Sequence, residues 1–226
     1  MTRGTWTRRT AVTAAATAVV TALAVPAGAQ ASTGTTAPAT TAGATAYATA
    51  TTSVDVGVGV DVGVDYGTWQ QDCRAVMDQA LPYLKERIAD GEPGEKQAVV
   101  LDVDNTALET DFGFSYPQPA NRPVLEAARY AQEHGVALFF VTARPGILKA
   151  PTKYNLEHDG YDVDGLFVRG LFDLFKNVAD YKTAQRAAIE DKGYTIIANI
   201  GNSATDLSGG HAERTFKLPD YDGQLS

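Results

Sequence analysis

The chain is 226 residues long, 44% hydrophobic, and carries a formal net charge of −8 with a pI near 4.8. That is enough apolar material for one ordinary domain, while the acidic balance lacks the basic footprint that nucleic-acid phosphates require. A single cysteine, Cys73, excludes an intramolecular disulfide framework.

Arg3, Arg8 and Arg9 precede an uncharged run, residues 11–25, followed by Pro26 and two A-x-A sites ending at Ala29 and Ala31. A basic start, a short apolar middle and small residues at a cleavage site make residues 1–31 a secretory signal peptide and the protein an extracellular one. Arg8-Arg9 raises twin-arginine export, but the residues after the pair match that pattern weakly, which favours the general route. Thr13, Thr17 and Thr21 dilute the apolar run, so no stable membrane span is expected.

Residues 32–65 form a linker. Its first part is nearly all Thr, Ala, Ser and Gly, too poor in apolar surface to offset the entropy of ordering it. From Val54 to Asp65, valine takes every second place with Gly or Asp between. The period is that of a strand, yet Gly and Asp are poor strand formers. Asp55, Asp61 and Asp65 lack the spacing of a calcium loop, which leaves a low-complexity spacer or a weak edge strand.

Residues 66–226 form the folded domain. Trp69, Val76, Met77, Ala80, Leu81, Leu84 and Ile88 recur at helical spacing, predicting a helix over 68–89 that Pro82 kinks or splits. Cys73 falls within it as a small apolar residue. Residues 98–101 are a short apolar run of the kind found in buried parallel strands. Asn121 caps a helix from about 123 to 134. Further strands are expected at 136–141, 165–168, 195–200 and 215–218, and helices at 147–158 and 179–192. This alternation predicts an α/β fold, a parallel sheet covered by helices on both faces, whose ligands lie beyond the carboxyl ends of the strands.

Four groups of polar residues follow those strands or open those helices. Asp102 and Asp104 put two carboxylates close together, which calls for a cation or a shared proton. Thr142 and Arg144 offer a hydroxyl and a guanidinium that can hold a phosphate. Lys182 lies just inside a helix, where a lone lysine is ordinarily solvated. Asn202 and Asp206 follow Gly201 and supply hard oxygen donors.

In that order, the groups resemble the four motifs of the haloacid dehalogenase (HAD) superfamily. The strings VLDVDNT, VTAR, YKT and RTFKLP look like those of the secreted acid phosphatases grouped with the class B and class C enzymes and the plant vegetative storage proteins. The resemblance covers residues 66 to about 222. It implies a Rossmann-like parallel sheet with a small cap, and a phosphatase acting on small phosphomonoesters. Asp102 would be the nucleophile and Asp104 the acid and then the base. Thr142, Lys182 and Arg144 would bind substrate, and Asp102, Asp104, Asn202 and Asp206 would bind Mg²⁺. Most members carry Asp where this chain has Asn202, which puts metal affinity in question. Roughly 35 residues separate the first motif from the second, and a similar number the second from the third, too few for a large lid; the 68–89 helix is expected to help form the cap. His134, His158 and His211 are too scattered for a site built on histidines. The rival reading is a non-catalytic secreted storage or surface-binding protein that keeps the fold.

Overall fold

The computed structural model describes residues 63–225; the expected signal peptide and nearly all of the linker lie outside the described residues. The chain runs α1 (Tyr66–Ala89), β1 (Lys96–Leu101), α2 (Arg122–Glu133), β2 (Ala137–Pro145), α3 (Lys149–Asp159), β3 (Gly165–Arg169), α4 (Val178–Glu190), β4 (Tyr194–Gly201), α5 (Ala204–Leu207) and β5 (Thr215–Lys217). All five strands are parallel, in the order β3-β2-β1-β4-β5.

Alternation along the strands sorts the core into two faces. Val99 and Leu101 of β1, with Leu138 and Phe140 of β2, pack under α1 and α2. Ala98, Val100, Phe139 and Val141 face Tyr181 and Ile189 of α4. The β1–β4 register shifts between Ala98 and Val99, opposite Ile196 and Ala198, which puts the consecutive residues Ile197 and Ala198 on the same face.

Helix α1 begins where Asp65 accepts a hydrogen bond from Thr68 N at 2.7 Å. It buries Trp69, Cys73, Met77, Ala80 and Leu84, and it runs unbroken through Pro82. Pro82 lies on the exposed side, where water can serve the carbonyl that loses its partner, and the buried stripe holds the helix on either side. The expectation that this helix forms part of a cap needs correction. It is a core layer against the sheet, and its start packs on the segment after β1, where Trp69 stacks on Phe112 with ring centroids 4.4 Å apart. Asn121 holds the N-cap position of α2 without capping it. Its side chain turns inward instead, donating to Cys73 Sγ at 3.5 Å and accepting from Gln70 at 3.3 Å.

In place of a lid domain, residues 102–121 fold back on themselves between β1 and α2, with bridges from Leu108 to Asp104 and to Ala120. Among the described residues no helix is long and apolar enough to cross a membrane.

Candidate active site

The functional side chains gather at the carboxyl edge of the sheet, as parallel α/β folds favour. Asp102 follows β1 directly, and its N–H donates to Ile200 O at 3.0 Å, so sheet pairing fixes its backbone. The chain then turns at Asn105, which is left-handed (φ 50°). Asn105 donates to Asp111 Oδ2 at 2.7 Å and accepts from Asp111 N at 3.0 Å, which locks the turn.

Lys182, in the second turn of α4, places Nζ 2.5 Å from Asp102 Oδ1 and 2.5 Å from Asp206 Oδ1. The three side chains are 6%, 4% and 3% exposed for Asp102, Lys182 and Asp206 respectively. Burial and the neighbouring acids Asp206 and Asp104 push the Asp102 carboxyl well above its ordinary range, while Lys182 pulls it back. Burial disfavours the Lys182 ammonium, yet the two carboxylates outweigh it and raise its pKa. One cation therefore faces two acids, and a negative charge is left over in a buried place.

Asp206 lies on α5, a helix of four residues that carries no periodic signal in the sequence. A capping box sets it: Ser203 N donates to Asp206 Oδ2 at 2.7 Å. Gly201, expected to ease a tight turn, ends β4 for another reason. A Cβ there would lie 2.4 Å from Asp206 Cβ. Asn202 is 2% exposed, accepts weakly from Thr106 Oγ1 at 3.4 Å and donates to Leu225 O at 3.2 Å.

Thr142 and Arg144 lie inside β2, which runs four residues further than its apolar run predicts, rather than after it. Both are turned to Asp104. Arg144 Nη2 donates to Asp104 Oδ1 at 2.8 Å, Thr142 Oγ1 approaches Oδ2 at 3.3 Å, and Thr110 Oγ1 donates to Oδ1 at 3.0 Å. Arg144 also donates to Gln118 and Thr152, each at 3.0 Å. All seven expected residues thus meet in two neighbouring groups. A cleft of about 360 Å³ is lined by Asp102, Asp104, Arg144, Lys182, Asn202 and Asp206. A second, of about 590 Å³, shares Asp104 and Arg144 and opens between Phe114, Tyr116 and Leu148.

Sequence reasoning missed Thr110, Gln118 and Arg186. The first two come from an irregular segment without a motif. Arg186 reads as a surface charge, although it follows Lys182 by one helical turn. The histidines serve elsewhere: His134 Nδ1 meets Tyr130 O at 2.7 Å, His158 stacks on Tyr154, and His211 pairs with Glu190.

The family model for HAD superfamily, subfamily IIIB (Acid phosphatase) matches residues 21–224. The chain belongs to this family. Among similar proteins, the stem 28 kDa glycoprotein of Glycine max is 37% identical over 90 residues, 38% of this chain and 35% of that one. Acid phosphatase 1 of Solanum lycopersicum is 34% identical over 88 residues, 38% of this chain and 34% of that one. The chain spans about a third of the length of these curated relatives. The class C acid phosphatase of Bacillus anthracis shares the fold, with a TM-score of 0.55 at 17% identity, covering 70% of this chain and 80% of that one.

HAD phosphatases generally use a divalent metal. The donors here suit one: hard oxygens, and a buried excess of negative charge that a cation would offset. Among the described residues no three His, Cys, Asp or Glu side chains are gathered as a ready metal cluster. The donors that would hold it are two carboxylates, Asp102 and Asp206, with the Asn202 amide and the Asp104 main-chain oxygen.

Proposed function

We propose that the protein is a secreted, Mg²⁺-dependent acid phosphatase that hydrolyses small phosphomonoesters through an aspartyl-phosphate on Asp102. The observation that carries this reading is the buried Lys182–Asp102 contact of 2.5 Å, with Asp104 on the wall of the same cleft.

An Asp102 oxygen attacks phosphorus while the bond to the ester oxygen breaks, and Asp104 delivers its proton to that leaving oxygen. Asp104, now a carboxylate, takes a proton from water as the water oxygen attacks the same phosphorus. The bond to Asp102 breaks and inorganic phosphate leaves. Thr142 and Lys182 hold the non-bridging oxygens, and Arg144 keeps Asp104 aimed into the cleft. Asp102, the Asp104 main-chain carbonyl, Asn202 and Asp206 would hold Mg²⁺, which supplies positive charge against the phosphoryl oxygens. Export rests on residues 1–31.

The stem glycoproteins among the relatives give a second reading, a non-catalytic protein that keeps the fold. The presence of both acids and of Lys182 favours catalysis. A colorimetric assay with an aryl phosphate, with and without Mg²⁺, decides between them. Metal-dependent release of phosphate is expected, and Asp102→Asn should lower it by at least ~1,000-fold without unfolding the protein. An inactive wild type would count for the second reading, and equal rates in the two proteins would rule out the covalent step on Asp102.

A further inference from the structure

Arg186 is 1% exposed, and none of its hydrogen bonds goes to a carboxylate. Nη1 donates to Asp206 O at 2.6 Å, Nε to Gly210 O at 2.9 Å, and Nη2 to Ser208 O and to Thr183 Oγ1, the latter at 3.3 Å. Burying a guanidinium is costly, and an apolar side chain would fill the space at lower cost. What the guanidinium adds is a fork of donors that fixes three carbonyls of one loop at once.

That loop needs outside support. Helix α5 has four residues, too few to hold itself. After Ser208, three residues in a row, Gly209 (φ 83°), Gly210 (φ 76°) and His211 (φ 61°), are left-handed. Asn199 Nδ2 also donates to Asp206 O, at 2.9 Å, and Thr183 Oγ1 lies 3.0 Å from Ser208 O. Lys182 and Arg186 are four residues apart on one face of α4. Lys182 takes the Asp206 carboxylate, and Arg186 takes the carbonyl of the same residue.

We infer that Arg186 is a positioning residue: it fixes residues 206–210 so that the Asp206 carboxylate is presented, ready-placed, to Lys182 and to a divalent cation. The inference rests on the metal-dependent reading above for its cation. It requires the fork as well as the charge, so lysine is no substitute.

The test compares wild type with Arg186→Lys, Thr183→Val and the core control Ile189→Val. Thr183→Val removes only the hydroxyl beside Ser208. Ile189 is buried on α4 in the apolar cluster with Ala98, Val100 and Tyr181, so Ile189→Val lowers stability without removing a hydrogen bond to the loop carbonyls. Calorimetric titration of metal-free protein with Mg²⁺ gives affinity directly, and amide hydrogen exchange in metal-free protein reports the order of residues 206–211. Arg186→Lys should weaken Mg²⁺ binding by roughly tenfold or more and speed that exchange, with smaller changes in the same direction for Thr183→Val. Ile189→Val should change neither, despite a lower Tm. Unchanged affinity and exchange in Arg186→Lys overturn the inference, as does an equal loss in Ile189→Val at a matched fall in Tm. If Arg186→Lys does not fold, Thr183→Val decides by the same two readouts. If wild type takes up no Mg²⁺, the metal reading fails, and the exchange arm alone decides whether Arg186 orders the loop.

Discussion

At the scale of single residues, the fourth motif turns on two side chains. Asn202 contributes an amide where a carboxylate is usual, and charge count is a main determinant of affinity at oxygen-ligand sites. Asn202→Asp should lower the Mg²⁺ concentration for half-maximal activity by roughly tenfold. It should also lower Tm, because Asn202 Nδ2 donates to Leu225 O and a carboxylate has no proton to give, a loss of about 1–3 kcal/mol. A Mg²⁺ titration alongside thermal melts checks both; identical half-saturation would put residue 202 outside the metal's reach. Gly201→Ala acts on Asp206, the other proposed ligand. The new methyl would meet Asp206 Cβ at 2.4 Å, an atom too near the backbone to swing away. We expect a cost of about 1–3 kcal/mol and a fall in activity larger than the fall in substrate affinity. Activity equal to wild type at saturating Mg²⁺ would mean that Asp206 need not stay where it is.

Between elements, the first turn of α1 and the folded-back segment 102–121 meet at Glu109. Tyr66 OH lies 3.0 and 3.2 Å from its two oxygens, and Gln70 Nε2 lies 2.9 Å from Oε1. Burial pushes the Glu109 carboxyl up from its ordinary range, while the Tyr66 hydrogen bond pulls it back. A carboxyl whose pKa is raised on folding holds its proton more tightly in the native state. Glu109 therefore costs stability once both states are ionised, and the cost disappears as pH falls below the unfolded value. Glu109→Gln should melt higher than wild type at neutral pH, with an advantage that shrinks as the medium is acidified. An advantage independent of pH would contradict the assignment. The same junctions show what was legible in the chain itself. The three central strands announce themselves as apolar runs, and Asp102, Lys182 and Asp206 meet as their motifs imply. Irregular structure does not announce itself: α5 is shorter than the period needed to detect it, and Asn121 leaves its cap for a partner 48 residues away. Arg186 is written like any exposed helical arginine, because what buries it is a loop from after β4.

For the whole molecule, the proposed function joins export to covalent phosphoryl transfer. If residues 1–31 direct export, the secreted protein should begin at Gln30 or Ser32, depending on whether cleavage follows Ala29 or Ala31; intact-mass measurement of secreted material checks this. Recovery of a chain starting at Met1 from the medium would rule it out. The central claim is that phosphorus passes through Asp102. An aryl phosphate needs little help from an acid to leave, so Asp104→Asn should still be phosphorylated but should fail to activate the water that clears the adduct. Acid-quenching that variant during turnover of an aryl phosphate, then mapping its peptides by mass spectrometry, should locate one added phosphoryl group on the peptide bearing Asp102. The Asp102→Asn protein should carry none. A phosphoryl group on any other peptide, or release of phosphate by Asp104→Asn with no adduct at any point in the time course, would contradict the account.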